Sequence, residues 1–432
     1  MERSLRDYFS AFRTRPMHFD VPLEEESPYR GLANTAYEVD FLGVVEADVR
    51  RAKEDGIDRI RFFVDGTQRS AIVGEVEIPG GFPIPIIASH IVAGAGEPCG
   101  DEVRLAIRRE LLAILFPHDA VMEIMDTNVP LPDLPILDNE GGFCDKLLQE
   151  KLLSTKVCDV PVFFCDTTWT FSRQKRRRLS PAMLAAVGKV RSAAMSAVDG
   201  IRRALEVGVI WELRRKYPED LVLNDGPLAR MMFTMYSRLA FKELESVSRG
   251  DPEACFNLLS RVVGLVKNVT IVPCEGLNHV SGASVPVFRL KRPISGEEER
   301  EEREHIRSPF NGILSCFCLL RPELTGVVPR VASRSGGLVR IDVPLAAIME
   351  NYDEGWMDVR FRIDLRKGSR EYDRLRRILL GIMAEKIPYP GTSDPHRLLV
   401  ELAATEITEN MLKSTLLPKE VIRARLSELI FG

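Results

Sequence analysis

Asp65 and Asp225 each stand before a glycine, directly behind a burst of strand-forming residues, in Ile60-Arg61-Phe62-Phe63-Val64-Asp65-Gly66-Thr67 and Leu221-Val222-Leu223-Asn224-Asp225-Gly226-Pro227-Leu228. The repetition predicts two carboxylates held at the ends of neighbouring strands. Carboxylates brought together repel each other, and a chain tolerates that when a cation or a shared proton sits between them. A divalent metal is the first expectation. Taken singly, each Asp-Gly is also an ordinary turn dipeptide that closes a strand.

The elements that must position these residues follow from the hydrophobic pattern. Residues 1–55 read as charged and helical, ending in Val44-Val45-Glu46-Ala47-Asp48-Val49-Arg50-Arg51-Ala52, with Gly56 as a stop signal. After Asp65 the runs Ala71–Ile78 and Pro85–Gly94, separated by Pro79-Gly80-Gly81, read as a strand meander. Val103–Phe116 reads as helix and Val160–Cys165 as a buried strand. From Pro181 a long helix runs to Lys216, with Val187, Val190, Ala194, Val198, Ile201, Leu205, Val209 and Leu213 on one face. It carries Glu206 and Glu212 and leads into the strand that ends at Asp225. Further strands are predicted at Arg261–Asn268, Leu338–Val343 and Trp356–Leu365, a helix over Tyr372–Lys386, and a last helix from Arg397 onward. Strand, long crossover, helix and strand in that order predict an α/β domain.

With 45% apolar and 28% charged residues, the chain has the composition of a globular protein rather than a disordered one. No apolar run approaches the roughly 18 residues that span a bilayer, and the first residues, Met1-Glu2-Arg3-Ser4-Leu5-Arg6-Asp7, lack the apolar stretch of a signal peptide. A cytoplasmic location without membrane attachment is the expectation. The eight cysteines are scattered, without the paired spacing of a zinc site, and read as reduced thiols. A net charge of -4 means that any affinity for nucleic acid must come from a local patch. Arg173-Gln174-Lys175-Arg176-Arg177-Arg178, positive at every position but Gln174, is such a patch; it contacts phosphates or forms a solvated loop before the helix. Arg69, just past the first aspartate, is a further candidate for DNA contact.

In the order of its motifs the chain resembles the NurA nucleases. The residues behind the resemblance are Asp65-Gly66, a glutamate in the long helix, Asp225-Gly226-Pro227-Leu228, Gly264-Leu265-Val266-Lys267, and Pro388-Tyr389-Pro390 with His396. The resemblance implies an RNase H-like mixed sheet flanked by helices, related to the Piwi nuclease domain. The expected division is an N-terminal helical extension over 1–55 and a nuclease domain over 56–432. The separation of Asp65 from Asp225 is longer than the family pattern and implies an insertion around 97–180. What it implies for function is a manganese- or magnesium-dependent DNA nuclease, an exonuclease with endonuclease activity left open. Such an enzyme works as a homodimer with a HerA-type hexameric DNA-translocating ATPase, in DNA end processing or in defence against foreign DNA. Carried over residue by residue, Asp65, Glu206 and Asp225 become metal ligands, with Glu212 in reserve, and Tyr389 and His396 complete the site. Gly391-Thr392-Ser393-Asp394-Pro395 interrupts the apolar stretch that the family pattern has between the tyrosine and the histidine.

The residue types suit that chemistry. Metal-assisted phosphodiester hydrolysis needs oxygen or nitrogen ligands converging from separate elements. Asp65, Glu206 and Asp225 supply oxygens, and His396 serves as a ligand or a proton shuttle. Lys267 at a strand end offsets charge on the scissile phosphate, or faces solvent. Glu206 has a bland alternative in a helix-surface pair with Arg202 or Arg203. Two rival functions remain: an actin- or hexokinase-type ATPase whose Asp65-Gly66-Thr67 turn cradles phosphates, and a non-catalytic adaptor that holds DNA or an ATPase on an RNase H-like fold.

Overall fold

The computed structural model describes residues 4–17, 38–48, 57–134, 136–137, 155–168, 187–228, 245–248, 251–267, 269, 277–291, 312–322, 337–358, 361–386 and 397–432. Thirteen strands arise among them: β1 (Arg13–Pro16), β2 (Glu38–Glu46), β3 (Ile60–Ile78), β4 (Phe82–Cys99), β5 (Glu102–Phe116), β6 (Ile136–Leu137), β7 (Lys156–Val157), β8 (Val160–Asp166), β9 (Leu221–Asp225), β10 (Val262–Val266), β11 (Ser284–Lys291), β12 (Ile313–Leu319) and β13 (Leu338–Pro344). They form a mixed sheet in the order β2-β11-β12-β13-β10-β9-β3-β4-β5-β8-β6, with β1 beside β3 and β7 beside β8. The main helices are α1 (Leu5–Ser10), α2 (His118–Met125), α3 (Val187–Lys216), α4 (Pro252–Leu259), α5 (Arg370–Met383), α6 (Ala403–Thr415) and α7 (Lys419–Phe431). The protein is an α/β molecule with a large mixed sheet flanked by helices.

Three long antiparallel strands, β3 to β5, form the middle of the sheet, and β9 and β10 run parallel to the start of β3. Helix α3 crosses one side of the meander. Its buried stripe of Val190, Ala194, Ala197, Val198, Ile201, Leu205, Val209 and Leu213 repeats at the three- and four-residue spacing of one helix face. Arg214, Arg215 and Lys216 close its last turn, where positive charge suits the helix dipole. Helix α1 is set by a capping box between Ser4 and Asp7. Its Tyr8 is fully buried, and the hydroxyl lies 2.7 Å from His118 Nδ1, so the polar tip is satisfied within an aromatic cluster of Phe9, Phe12, Phe116 and Phe164.

Several segments differ from the sequence-based expectation. Val103–Phe116, expected to be helical, is strand β5: β4 pairs with one edge and β8 with the other, and every residue from Leu111 onward is buried. A continuous apolar run suits a strand covered on both faces as well as it suits a helix. Within 1–55, expected to be helical, the described residues hold one short helix and two strands. Val45 and Ala47 are buried around exposed Glu46, a two-residue period, and β2 pairs along its length with β11. Trp356–Leu365 was expected as a strand but turns at 354–357. From Phe361 to Leu365 the side chains do alternate between half-buried and exposed, yet the backbone joins no ladder among the described residues. Trp356 Nε1 donates to the Pro252 carbonyl and its ring packs edge-on to Phe256, which draws the chain out of the sheet. The last helix is in fact broken. Pro418 precedes α7, and Arg69 donates to the carbonyls of Leu416 and Leu417 exposed at the break, while the Leu417 amide donates to His90 Nδ1.

Candidate active site

Asp65 lies within β3 and not at its end. The strand continues through Gly66 and Thr67, which pair with Ala93 and Val92 of β4. The expected turn is therefore absent, and with it the phosphate-cradling Asp-Gly-Thr loop of an actin-type ATPase. Asp225 does close β9, and Gly226 behind it takes φ +126°, a conformation that favours glycine.

Register brings the two aspartates together. Val64 pairs with Asn224 across the parallel β3–β9 ladder, so Asp65 and Asp225, one step further on each strand, stand side by side on one face. That face is covered by α6. Gly94, opposite Asp65, has room only for a hydrogen because a Cβ there would lie 2.8 Å from Leu412 Cδ2 of α6. Gly66 points to the other face, where a Cβ would lie 2.5 Å from Glu206 Oε1 and 2.8 Å from Arg202 Cγ. The glycine lets α3 approach the strand closely, and successive strand residues face opposite ways.

On the aspartates' face, Lys267, just past the end of β10, places Nζ 2.6 Å from Asp225 Oδ2. The same ammonium lies 2.8 and 2.7 Å from Glu401 Oε1 and Oε2. Burial alone would lower the ammonium's proton affinity, but Asp225 and Glu401 outweigh it and hold Lys267 charged. Asp65 is 6% exposed, and its Oδ1 accepts from the Gly66 amide at 2.7 Å. It makes no ion pair among the described residues. Burial first, then the Asp225 charge, pushes its carboxyl well above the ordinary range, with Lys267 and Arg202 offsetting part of the effect.

Two further contacts fix the turn behind Asp225. The Gly226 amide donates to the Leu265 carbonyl at 2.8 Å, and the Leu228 amide donates to Asp342 Oδ2 at 3.2 Å. Asp342 is itself fully buried and accepts from Arg340 Nε at 2.9 Å and from Ser315 Oγ at 3.1 Å.

Glu206 reaches the sheet from the opposite side. Its Oε1 lies 2.5 Å from an Arg202 guanidinium nitrogen, and Arg202 also donates to Asp199 Oδ1 at 2.9 Å and to the Gly66 carbonyl at 3.2 Å. Burial raises the Glu206 carboxyl's proton affinity, with Arg202 and Arg203 opposing. Glu212 is taken by Arg109 at 2.6 Å and Lys216 at 2.7 Å, which outweigh its burial and hold it ionised below the ordinary range. The structure thus joins Asp65, Asp225 and Lys267 on one face and leaves the helical glutamates on the other. Arg69 is half-buried and donates to the carbonyls of Leu416 and Leu417 at the α6–α7 break. Tyr389, His396, Arg173, Lys175, Arg176, Arg177 and Arg178 lie outside the described residues. Glu401, which the sequence reading passed over, belongs to the cluster. Its one signal is a glutamate inside the apolar run Leu398-Leu399-Val400-Glu401-Leu402, and it is only 2% exposed.

The donor set suits a hard divalent cation, since Asp65 and Asp225 offer carboxylate oxygens and Asp65 makes no ion pair among the described residues. Among the described residues no group of three or more His, Cys, Asp or Glu is placed to hold a metal ion. A magnesium-type site does not require one, because that ion is commonly held by one or two carboxylates with waters and substrate phosphates completing the shell.

No family model matches the chain, and no curated protein matches it in sequence. Among solved structures it is similar to the NurA nuclease from Sulfolobus solfataricus. The two share 10% identity over 90% of this chain and 87% of that one, with a TM-score of 0.33. No helix among the described residues is long and apolar enough to cross a membrane.

Proposed function

We propose that the chain is a nuclease that hydrolyses DNA phosphodiesters with manganese or magnesium held between Asp65 and Asp225. The observation that supports this reading is the placement of a buried and a half-buried carboxylate, Asp65 and Asp225, side by side on adjacent parallel strands, the buried one without a counter-ion among the described residues. Repulsion and desolvation make such a pair costly, and a divalent cation bridging them removes the cost. A bound cation would supply an activated water and charge stabilisation at the phosphate. Lys267 would neutralise a second phosphate oxygen, and Glu401 would hold that lysine in place. A HerA-type ATPase partner, a homodimer and a role in end processing or defence are part of the same proposal, from the motif resemblance. So are His396 as a further ligand and the basic run at 173–178 as a DNA contact.

The adaptor reading keeps one observation in its favour: Lys267 already neutralises Asp225 and Glu401, as a purely structural ion pair would. Both readings meet the same assay. Purified protein and its Asp65→Asn variant are incubated with end-labelled single-stranded and duplex DNA in manganese, magnesium or EDTA. The nuclease reading expects metal-dependent cleavage, lost at least about 100-fold in the variant, since even partners behind a metal ligand are worth about 10- to 100-fold. No cleavage under any condition, with or without a HerA-type ATPase, establishes the adaptor instead.

A further inference from the structure

We infer that Arg202 is a positioning residue for Asp65: from the far face of the sheet its guanidinium holds the Gly66 carbonyl, and the Gly66 amide holds the Asp65 carboxylate beside Asp225. Glu206 then serves the site through Arg202 rather than as a ligand of the cation. This inference rests on the metal-dependent reading above and extends it to one residue of α3.

β9 ends at Asp225, and the last pair of its ladder with β3 is Val64 with Asn224. From there until β1 joins at Gly74, that edge of β3 has no neighbouring strand among the described residues. Gly66 lies in this stretch, and side chains meet both of its main-chain groups. Its amide donates to Asp65 Oδ1 at 2.7 Å, and its carbonyl accepts from Arg202 at 3.2 Å. The residue must be glycine for α3 to come this close, since a Cβ would lie 2.5 Å from Glu206 Oε1 and 2.8 Å from Arg202 Cγ. The same lack of a side chain leaves its backbone the freest of any residue, in the step next to the carboxylate that has to be placed. Arg202 supplies the restraint. Its guanidinium is itself fixed by carboxylates one turn away on either side, Asp199 at 2.9 Å and Glu206 at 2.5 Å, and only 18% of its side chain is exposed. A planar fork held in this way keeps its donors aimed. Arg202 lies across the sheet from the aspartates, so it reaches Asp65 through the backbone.

The test is Mn2+ binding by the full-length protein without DNA, by titration calorimetry, together with the Mn2+ concentration that half-saturates cleavage of end-labelled DNA. Wild type, Arg202→Met, Arg202→Lys, Glu206→Gln and the double variant of Arg202→Met with Glu206→Gln are compared. Circular dichroism melts check each fold, and Arg202→Gln serves if the methionine variant does not fold. Arg202→Met is expected to weaken Mn2+ binding about tenfold and to raise the half-saturating concentration to match, at the low end of what partners behind a metal ligand contribute. Arg202→Lys, which keeps a donor for the Gly66 carbonyl, is expected to recover most of that loss. Glu206→Gln is expected to weaken binding about threefold alone and to add nothing in the Arg202→Met background, because it acts through the arginine. A folded Arg202→Met that binds Mn2+ like wild type overturns the inference and makes the arginine a structural tie between α3 and the sheet. An added loss from Glu206→Gln in that background overturns it too, since a direct ligand contributes whether or not the arginine is present. Failure of the metal reading shows separately, as equal or absent Mn2+ binding in wild type and Asp65→Asn, and the inference falls with it.

Discussion

Asp65 and Asp225 are neighbours of the same type with opposite energetic characters. Asp65 is buried without a counter-ion among the described residues, and burial together with Asp225 raises its proton affinity. A carboxyl raised in the folded state binds more protons there than in the unfolded chain. Its contribution to stability is therefore full below the ordinary carboxylate range and is lost as pH rises toward the raised value. At pH 7.5 without metal it is a net cost. Asp65→Asn is expected to abolish cleavage while raising the melting temperature by about 1–3 °C. Asp225→Asn is expected to abolish cleavage and lower stability by about 1–3 kcal/mol, because it removes a charged hydrogen bond to Lys267. Calorimetric melts in EDTA check the contrast. Shifts of the same sign in both variants would show that Asp65 is not the strained member.

At the scale of elements, the site depends on how closely backbones approach one another. β9 lies between β3 and β10, and the turn after Asp225 folds back over β10 at Gly264, where a Cβ would lie 2.7 Å from the Gly226 carbonyl oxygen and 2.8 Å from Leu228 Cγ. One of these contacts is backbone, which cannot rotate away. Gly264→Ala is therefore expected to lift the turn, move Asp225 and cost about 1–3 kcal/mol in stability. Urea denaturation measures the stability loss, and cleavage at saturating Mn2+ measures the displacement. Full activity with lowered stability would separate the turn from the chemistry.

For the whole molecule the sign of charge matters most. A net charge of -4 repels DNA at long range, so binding relies on local positive groups. Arg69 is half-buried and held at the α6–α7 break, and the run at 173–178 is the denser positive candidate. Arg176→Ala with Arg177→Ala is expected to weaken DNA binding and to reduce the slope of log affinity against log salt by about 2, near one unit for each phosphate contact removed. Fluorescence anisotropy from 50 to 200 mM salt measures it. An unchanged slope returns the run to an ordinary solvated loop.

What the sequence by itself determined is local. The β3–β4 hairpin turns where the Pro-Gly-Gly punctuation stands, α3 follows its three- and four-residue apolar stripe, and β8, β9, β10 and β13 match their β-rich runs. Asp65 and Asp225 were legible as a pair because strand-forming residues precede each. Tertiary structure decided what periodicity leaves open. Whether Val103–Phe116 is helix or strand depended on partners along both edges, since a run buried on all sides has no diagnostic period. The face that each site residue occupies depended on register, and a shift of one residue reverses it. Glu206 and Asp65 therefore fall on opposite sides of the sheet, although both are acidic and near one another. Glu401, distant in sequence and hidden in an apolar run, joined the site only because the chain breaks before α6 and sets that carboxylate against Lys267.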